Sequence, residues 1–128
     1  MAHILLIEPD RILAETYKTA LEGAGHRVLP VSGAQAAIIA CDQQMPDVVV
    51  LELQLIEHSG IEFLYEFRSY PEWQGIPVII QSQVPPQEFT ASQHLLREQL
   101  GVTAFLYKPQ TTLRALLAQI NQLSPQAA

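Results

Sequence analysis

Five short apolar runs alternate along the chain with five longer stretches of helical character. Ile4–Ile7 is four consecutive aliphatic residues, and Val48-Val49-Val50-Leu51 is the most β-like segment. Val78-Ile79-Ile80 and Ala104-Phe105-Leu106-Tyr107 follow the same pattern. Arg27–Val31 is weaker, and Pro30 within it predicts a strand at the edge of the sheet, where a missing N–H costs nothing. The runs do not alternate with polar residues. Such runs predict strands covered on both faces, as in a parallel sheet between helical layers.

Between the runs the apolar positions take up helical spacing. Leu13, Tyr17, Ala20, Leu21 and Ala24 lie at i, i+4, i+7, i+8 and i+11, with Gly25 as a C-terminal stop. Ala34, Ala37, Ile38 and Cys41 form a second stripe. Gly60 opens a third helix carrying Ile61 and Leu64 and ending near Ser69-Tyr70-Pro71. A fourth is expected within Glu88 to Leu100, where the pattern is least regular and Pro85-Pro86 sets only the approach. The last is the clearest, with Leu113, Leu116, Leu117, Ile120 and Leu123, and with Thr111 or Thr112 as N-cap. Five βα units predict one domain over residues 1–123: an open, doubly wound, five-stranded parallel sheet in three α/β/α layers. Residues 124–128 read as a flexible tail.

Composition narrows the functional classes. The chain has 128 residues, 48% hydrophobic and 16% charged, which suits one folded domain with a single core. The net charge of −6 argues against nucleic acid as a direct partner, since phosphate binding is driven by cationic side chains. One cysteine, Cys41, cannot form an internal disulfide and sits on an apolar stripe as a core residue. The apolar start is ended by Glu8 and Asp10, far short of a membrane span, so the expected location is cytoplasmic, with no membrane partner. His3, His26, His58 and His94 show no ligand spacing, and only His58 lies near the residues of interest. Trp73, with Tyr70 and Pro71, is expected to cap the turn before the fourth strand.

Ligands of open α/β sheets gather beyond the carboxyl ends of the strands. There the chain places Glu8, Pro9 and Asp10 after strand one, Glu52 after strand three, Gln81-Ser82-Gln83 after strand four, and Lys108-Pro109 after strand five. Three carboxylates, a hydroxyl and a lysine converge on one edge.

On these residues the chain resembles the receiver domains of two-component response regulators. The resemblance is carried by Ile4-Leu5-Leu6-Ile7-Glu8, by Pro46 through Glu52 and on to Gly60, by Ile76 through Ser82, and by Phe105-Leu106-Tyr107-Lys108-Pro109. It implies a flavodoxin-like (βα)5 fold. It further implies an acidic pair after strand one for Mg²⁺ and an aspartate after strand three that accepts a phosphoryl group. Ser82 and Lys108 then match the residues that contact phosphoryl oxygens, and Phe105 matches the switch aromatic. The Lys108–Pro109 bond is expected to be cis by the same resemblance.

Three residues depart from that pattern. Glu52 stands at the phosphoacceptor position, and its extra methylene moves the carboxylate outward by roughly 1.5 Å, where ~1 Å can cost about a hundredfold in rate. Pro9 stands at the second position of the acidic pair, after Glu8, and offers no side-chain ligand. Gln83 replaces a small residue and narrows access. No cofactor is therefore expected, Mg²⁺ binding only weakly, through Glu8 and Glu52 if at all. Glu52 is expected to pair with Lys108 instead.

Two readings follow from the resemblance. One is a stand-alone, non-enzymatic, atypical receiver that acts by binding a histidine kinase or downstream effector, or a second copy through the face of helix four, strand five and helix five. The other is a working Mg²⁺-dependent, phospho-accepting receiver with an unusual pocket. A third, a flavodoxin-like cofactor binder, lacks both G-x-G-x-x-G and a P-loop.

Overall fold

The structure is a computed structural model that describes residues 2–123. The proposed tail at 124–128 lies outside the described residues. Five strands, β1 (His3–Ile7), β2 (Arg27–Val31), β3 (Val48–Leu51), β4 (Val78–Ser82) and β5 (Val102–Tyr107), form one sheet in the order β2-β1-β3-β4-β5. All neighbouring pairs are parallel. The order reverses at β1, so the chain winds both ways from that strand. β2 is an edge, and its Pro30 lies opposite Leu6. The fold is the doubly wound, flavodoxin-like sheet that the hydrophobic pattern and the resemblance imply.

Both faces of the sheet are covered, and the strand residues divide by parity. Leu5, Ile7, Val49, Leu51, Val78 and Ile80 pack with Ala37 and Cys41 of α2 (Ala34–Gln43) and with Phe63, Leu64 and Phe67 of α3 (Gly60–Ser69). Ile4, Leu6, Val48, Val50 and Ile79 pack with Ala14, Tyr17 and Leu21 of α1 (Arg11–Gly23) and with Leu116 and Ile120 of α4 (Leu113–Leu123). Successive strand side chains point to opposite faces, so an unbroken aliphatic run feeds two cores at once. Each large side chain buried this way stabilises the fold by roughly 1.5–3 kcal/mol.

Local signals set the helix ends. Asp10 caps α1, its Oδ1 accepting from the N–H groups of Ile12 and Leu13, both at 3.0 Å. Gly25 takes φ +95° just beyond the helix, where a side chain would be strained. Ser59 caps α3 through the Glu62 N–H at 3.1 Å, and Thr112 caps α4 through the Ala115 N–H at 3.1 Å.

Two expectations need correction. The fourth helical stretch is a 3-10 segment (Pro86–Ser92) followed by a π-helical turn (Leu95–Gln99). Its apolar positions follow no 3.6-residue stripe, so no single face organises a regular helix; Leu96 alone among the π-turn residues is fully buried. The Lys108–Pro109 bond is trans, as is every described peptide bond, the isomer that X–Pro bonds prefer by about 0.5–1 kcal/mol. Trp73 does close the turn before β4. It is 4% exposed and rests on Phe67 and Tyr70 with ring centroids 5.5 and 4.5 Å away.

Candidate functional site

The carboxyl ends of β1, β3, β4 and β5 bring Glu8, Glu52, Ser82 and Lys108 together. Parallel pairing does this directly: Ile7 lies opposite Leu51, and Ser82 opposite Tyr107, so the residues at or just past these ends share a rim. Lys108 Nζ sits between two carboxylates, 2.5 Å from Glu8 Oε1 and 2.7 Å from Glu52 Oε1. Its side chain is 6% exposed and both carboxylate side chains are 3% exposed. Ser82 Oγ donates to Glu52 Oε2.

Backbone amides complete the cluster. Gln54 N–H donates to Glu52 Oε2 at 3.0 Å and Gln83 N–H to Glu52 Oε1 at 3.2 Å. Glu8 Oε2 accepts from the Asp10 N–H at 3.0 Å. Every carboxylate oxygen of Glu8 and Glu52 thus faces a donor from the chain itself, as buried charges require. Burial opposes ionisation of Glu52, but the bonds from Lys108, Ser82 and Gln54 outweigh it and hold the carboxyl below its ordinary value. Burial likewise disfavours the ammonium of Lys108, and the two carboxylates reverse that, raising it above its ordinary value. The Tyr17 phenol on α1 is raised chiefly by burial and feels the charges of Lys108, Glu8 and Glu52.

Asp10 does not join this cluster. It is exposed, and its carboxylate is engaged in capping α1, which separates it from the acidic pocket in which it was expected. Phe105 lies one turn of strand below the rim, half-buried against the α2–α3 core, with the Arg97 guanidinium 4.8 Å from its ring centroid. His58 bonds Glu62 at 3.2 Å rather than any rim residue.

The residues present do not fit a divalent cation. Mg²⁺ needs oxygen ligands arranged octahedrally, and here the carboxylate oxygens already face an ammonium, a hydroxyl and amides. Pro9 adds no donor, and among the described residues there is no group of three His, Cys, Asp or Glu side chains able to hold a metal. The ammonium of Lys108 supplies the positive charge between the two carboxylates.

Sequence reasoning missed three parts of this arrangement. It paired Lys108 with Glu52 but not with Glu8, and it overlooked the amides of Gln54 and Gln83. Gly60 reads from the sequence as a helix start and a point of family resemblance, without its contact to the β3 end. A Cβ there would lie 2.8 Å from Leu53 Cα and 3.0 Å from the Glu52 carbonyl oxygen, so the glycine lets α3 approach the strand end that carries Glu52.

Comparison with known proteins identifies the family and its fold. The family model of the response regulator receiver domain matches residues 4–121. The chain belongs to the response regulator receiver domain family. Among curated relatives, the KDP operon transcriptional regulatory protein KdpE of Escherichia coli is 33% identical over 82 residues, which is 64% of this chain and 35% of that protein. The receiver spans about a third or less of the length of the first curated relatives it matches. The non-phosphorylated HemR receiver domain of Leptospira biflexa superposes with a TM-score of 0.81 at 26% identity, covering 100% of this chain and 98% of that one. The chemotaxis response regulator CheY4 of Vibrio cholerae gives a TM-score of 0.82 at 18% identity, covering 96% and 98%, and shows the shared fold. This receiver is therefore a domain of two-component signalling, a family in which Mg²⁺ typically serves the phospho-accepting site. No described helix is long and apolar enough to cross a membrane.

Proposed function

We propose that this receiver holds its rim closed without a phosphoryl group and signals by protein–protein contact. Glu52 stands where the family's aspartate accepts phosphate, and the same hydroxyl and ammonium that would contact phosphoryl oxygens bind the Glu52 carboxylate instead. The observation that carries the reading is the position of Lys108 Nζ, 2.5 and 2.7 Å from two buried carboxylates, with Ser82 on the second. A carboxylate brings one negative charge where an aspartyl phosphate brings about two, so Glu52 reproduces the contacts with less charge.

Two further features support a fixed state. Pro85 and Pro86 stiffen the backbone just after Ser82, in the loop that receivers move on activation. Phe105 is half-buried against the α2–α3 core with the Arg97 guanidinium over its ring. The partner is a histidine kinase or a downstream effector, met on the face formed by the irregular fourth segment, β5 and α4, which also suits a second copy of the chain. Proximity to that face of the clamped β5 end would let the rim set its shape.

The test is incubation with acetyl phosphate and Mg²⁺, followed by intact-mass analysis. The unmodified protein should gain no phosphoryl group, whereas Pro9→Asp with Glu52→Asp should gain one. Stoichiometric, base-labile labelling of Glu52 in the unmodified protein would refute the proposal. An unlabelled double variant would mean that the block does not reside in these two residues.

A further inference from the structure

The charges of this chain are unevenly placed. From Val28 to Phe67 there is no lysine or arginine, and that stretch carries Asp42, Asp47, Glu52, Glu57, Glu62 and Glu66. Elsewhere seven acidic and seven basic residues balance, so the whole formal charge of −6 belongs to the nearly one third of the chain that carries α2, β3 and most of α3. Asp47 is engaged with the His3 N–H, and Glu52 with Lys108. The other four are exposed on or beside α2 and α3.

Glu57, Glu62 and Glu66 border a partly apolar groove, and Asp42 lies on α2 one turn beyond Ile39. Between α2 and α3 lies a cleft of about 530 Å³ with Ile38, Ile39 and Phe63 on its walls and Glu62 and Glu66 along one side. A second cleft of about 240 Å³ shares Ala34, Gln35 and His58 with the first and extends it toward Ile56 and Glu57. Ile39 is 53% exposed and Ile56 83% exposed. Scattered exposed aliphatics are ordinary, but these two lie on one continuous groove. On α2, Gln35, Ile39 and Asp42 recur at i, i+4 and i+7, and on α3, Glu62 and Glu66 at i and i+4, so apolar and acidic positions run along the groove in parallel.

We infer that the α2–α3 groove is a docking site for a basic amphipathic helix of a partner protein. The apolar floor takes its hydrophobic stripe, and Asp42, Glu57, Glu62 and Glu66 meet lysines or arginines on its flanks. Helices α2 and α3 have ten residues each, about 15 Å of axis, which matches roughly three turns of a partner helix. The uncompensated negative field draws in a cationic partner and repels nucleic acid and anionic membrane surfaces. The surface is distinct from the β5–α4 face and does not depend on the state of Glu52.

The test maps binding of a synthetic amphipathic helix of lysine, leucine and alanine by amide shifts of the isotopically labelled, full chain. Shifts should concentrate on α2, on α3 and at residues 54–59. Glu62→Lys with Glu66→Lys should weaken binding by about tenfold or more, since attraction turns to repulsion. Ile39→Ser should weaken it while leaving the charges in place, and each variant's own spectrum reports that it is folded. A control peptide with serine for leucine should bind far more weakly. Shifts mapping to β5 and α4, unchanged affinity in the charge-reversed variant, equal binding of the serine peptide, or no binding at millimolar peptide would each overturn the inference.

Discussion

Two cations are drawn into this domain at opposite ends of the sheet, and they are satisfied in opposite ways. Lys108, at the carboxyl ends of the strands, is held by the side chains of Glu8 and Glu52. Arg68, in the last turn of α3, reaches the loops that lead into β4 and β5. There it donates to the backbone carbonyls of Trp73 and Ile76, both at 2.6 Å, and of Leu100 and Gly101 at 2.8 and 3.2 Å. A planar guanidinium suits several carbonyls in fixed directions, whereas an ammonium is a compact point charge that suits two converging carboxylates. Burial lowers Arg68, and carboxylates raise Lys108. Arg68 therefore ties loops together with groups every residue possesses, while the Lys108 cluster depends on the identity of each side chain. The first is a structural knot, and the second is where a change of residue changes chemistry.

Replacing each cation by methionine separates the two. Lys108→Met leaves two buried carboxylates face to face and should cost about 3–5 kcal/mol at neutral pH in urea denaturation. That deficit should shrink as pH falls through the carboxylate range, because Glu52 can then take up a proton. Glu52 is lowered on folding, so its contribution is complete above its ordinary value of 4.5 and is lost as pH falls through the lowered one. Lys108 is raised, so its contribution is complete below 10.5 and is lost as pH rises through the raised value. A flat pH dependence of the Lys108→Met deficit would contradict the ion-pair account.

Arg68→Met should cost about 2–4 kcal/mol by leaving loop carbonyls without donors. Its deficit should not vary between pH 4 and pH 9, since carbonyls do not titrate, and a pH series of chemical melts compares the two variants directly. Smaller effects come from the glycines beside each cluster. Gly60→Ala presses on the Leu53 and Glu52 backbone and should cost about 1–3 kcal/mol. Gly101→Ala, at φ +65° with its new Cβ 2.9 Å from Arg68 Nη2, should cost about 1–2 kcal/mol. Hydrogen exchange should place the first loss at the β3 end and the second at the β4–β5 entry loops. Exchange changes at the opposite ends would break the comparison.

The strands, the edge position of β2 and the cap at Thr112 were legible because they rest on local signals: aliphatic runs, a proline and a short polar side chain. The rim was legible as a convergence of strand ends, which parallel topology imposes on whatever residues stand there. Arg68 was not legible. Its partners are carbonyls up to 33 positions away, and a backbone carbonyl leaves no mark in a sequence. The irregular fourth segment escaped for a related reason, since its weak pattern showed that a regular helix had little support but not which helical turns would replace it.

By itself the sequence determined that the aliphatic runs form strands covered on both faces, through periodicity, and which chemistry stands at each strand end. Only the tertiary structure decided how that chemistry is paired. Asp10 could cap a helix or join the acids, and it caps. Lys108 could meet one carboxylate or two, and it meets two. These choices depend on distances between elements, and distances arise only when the layers pack.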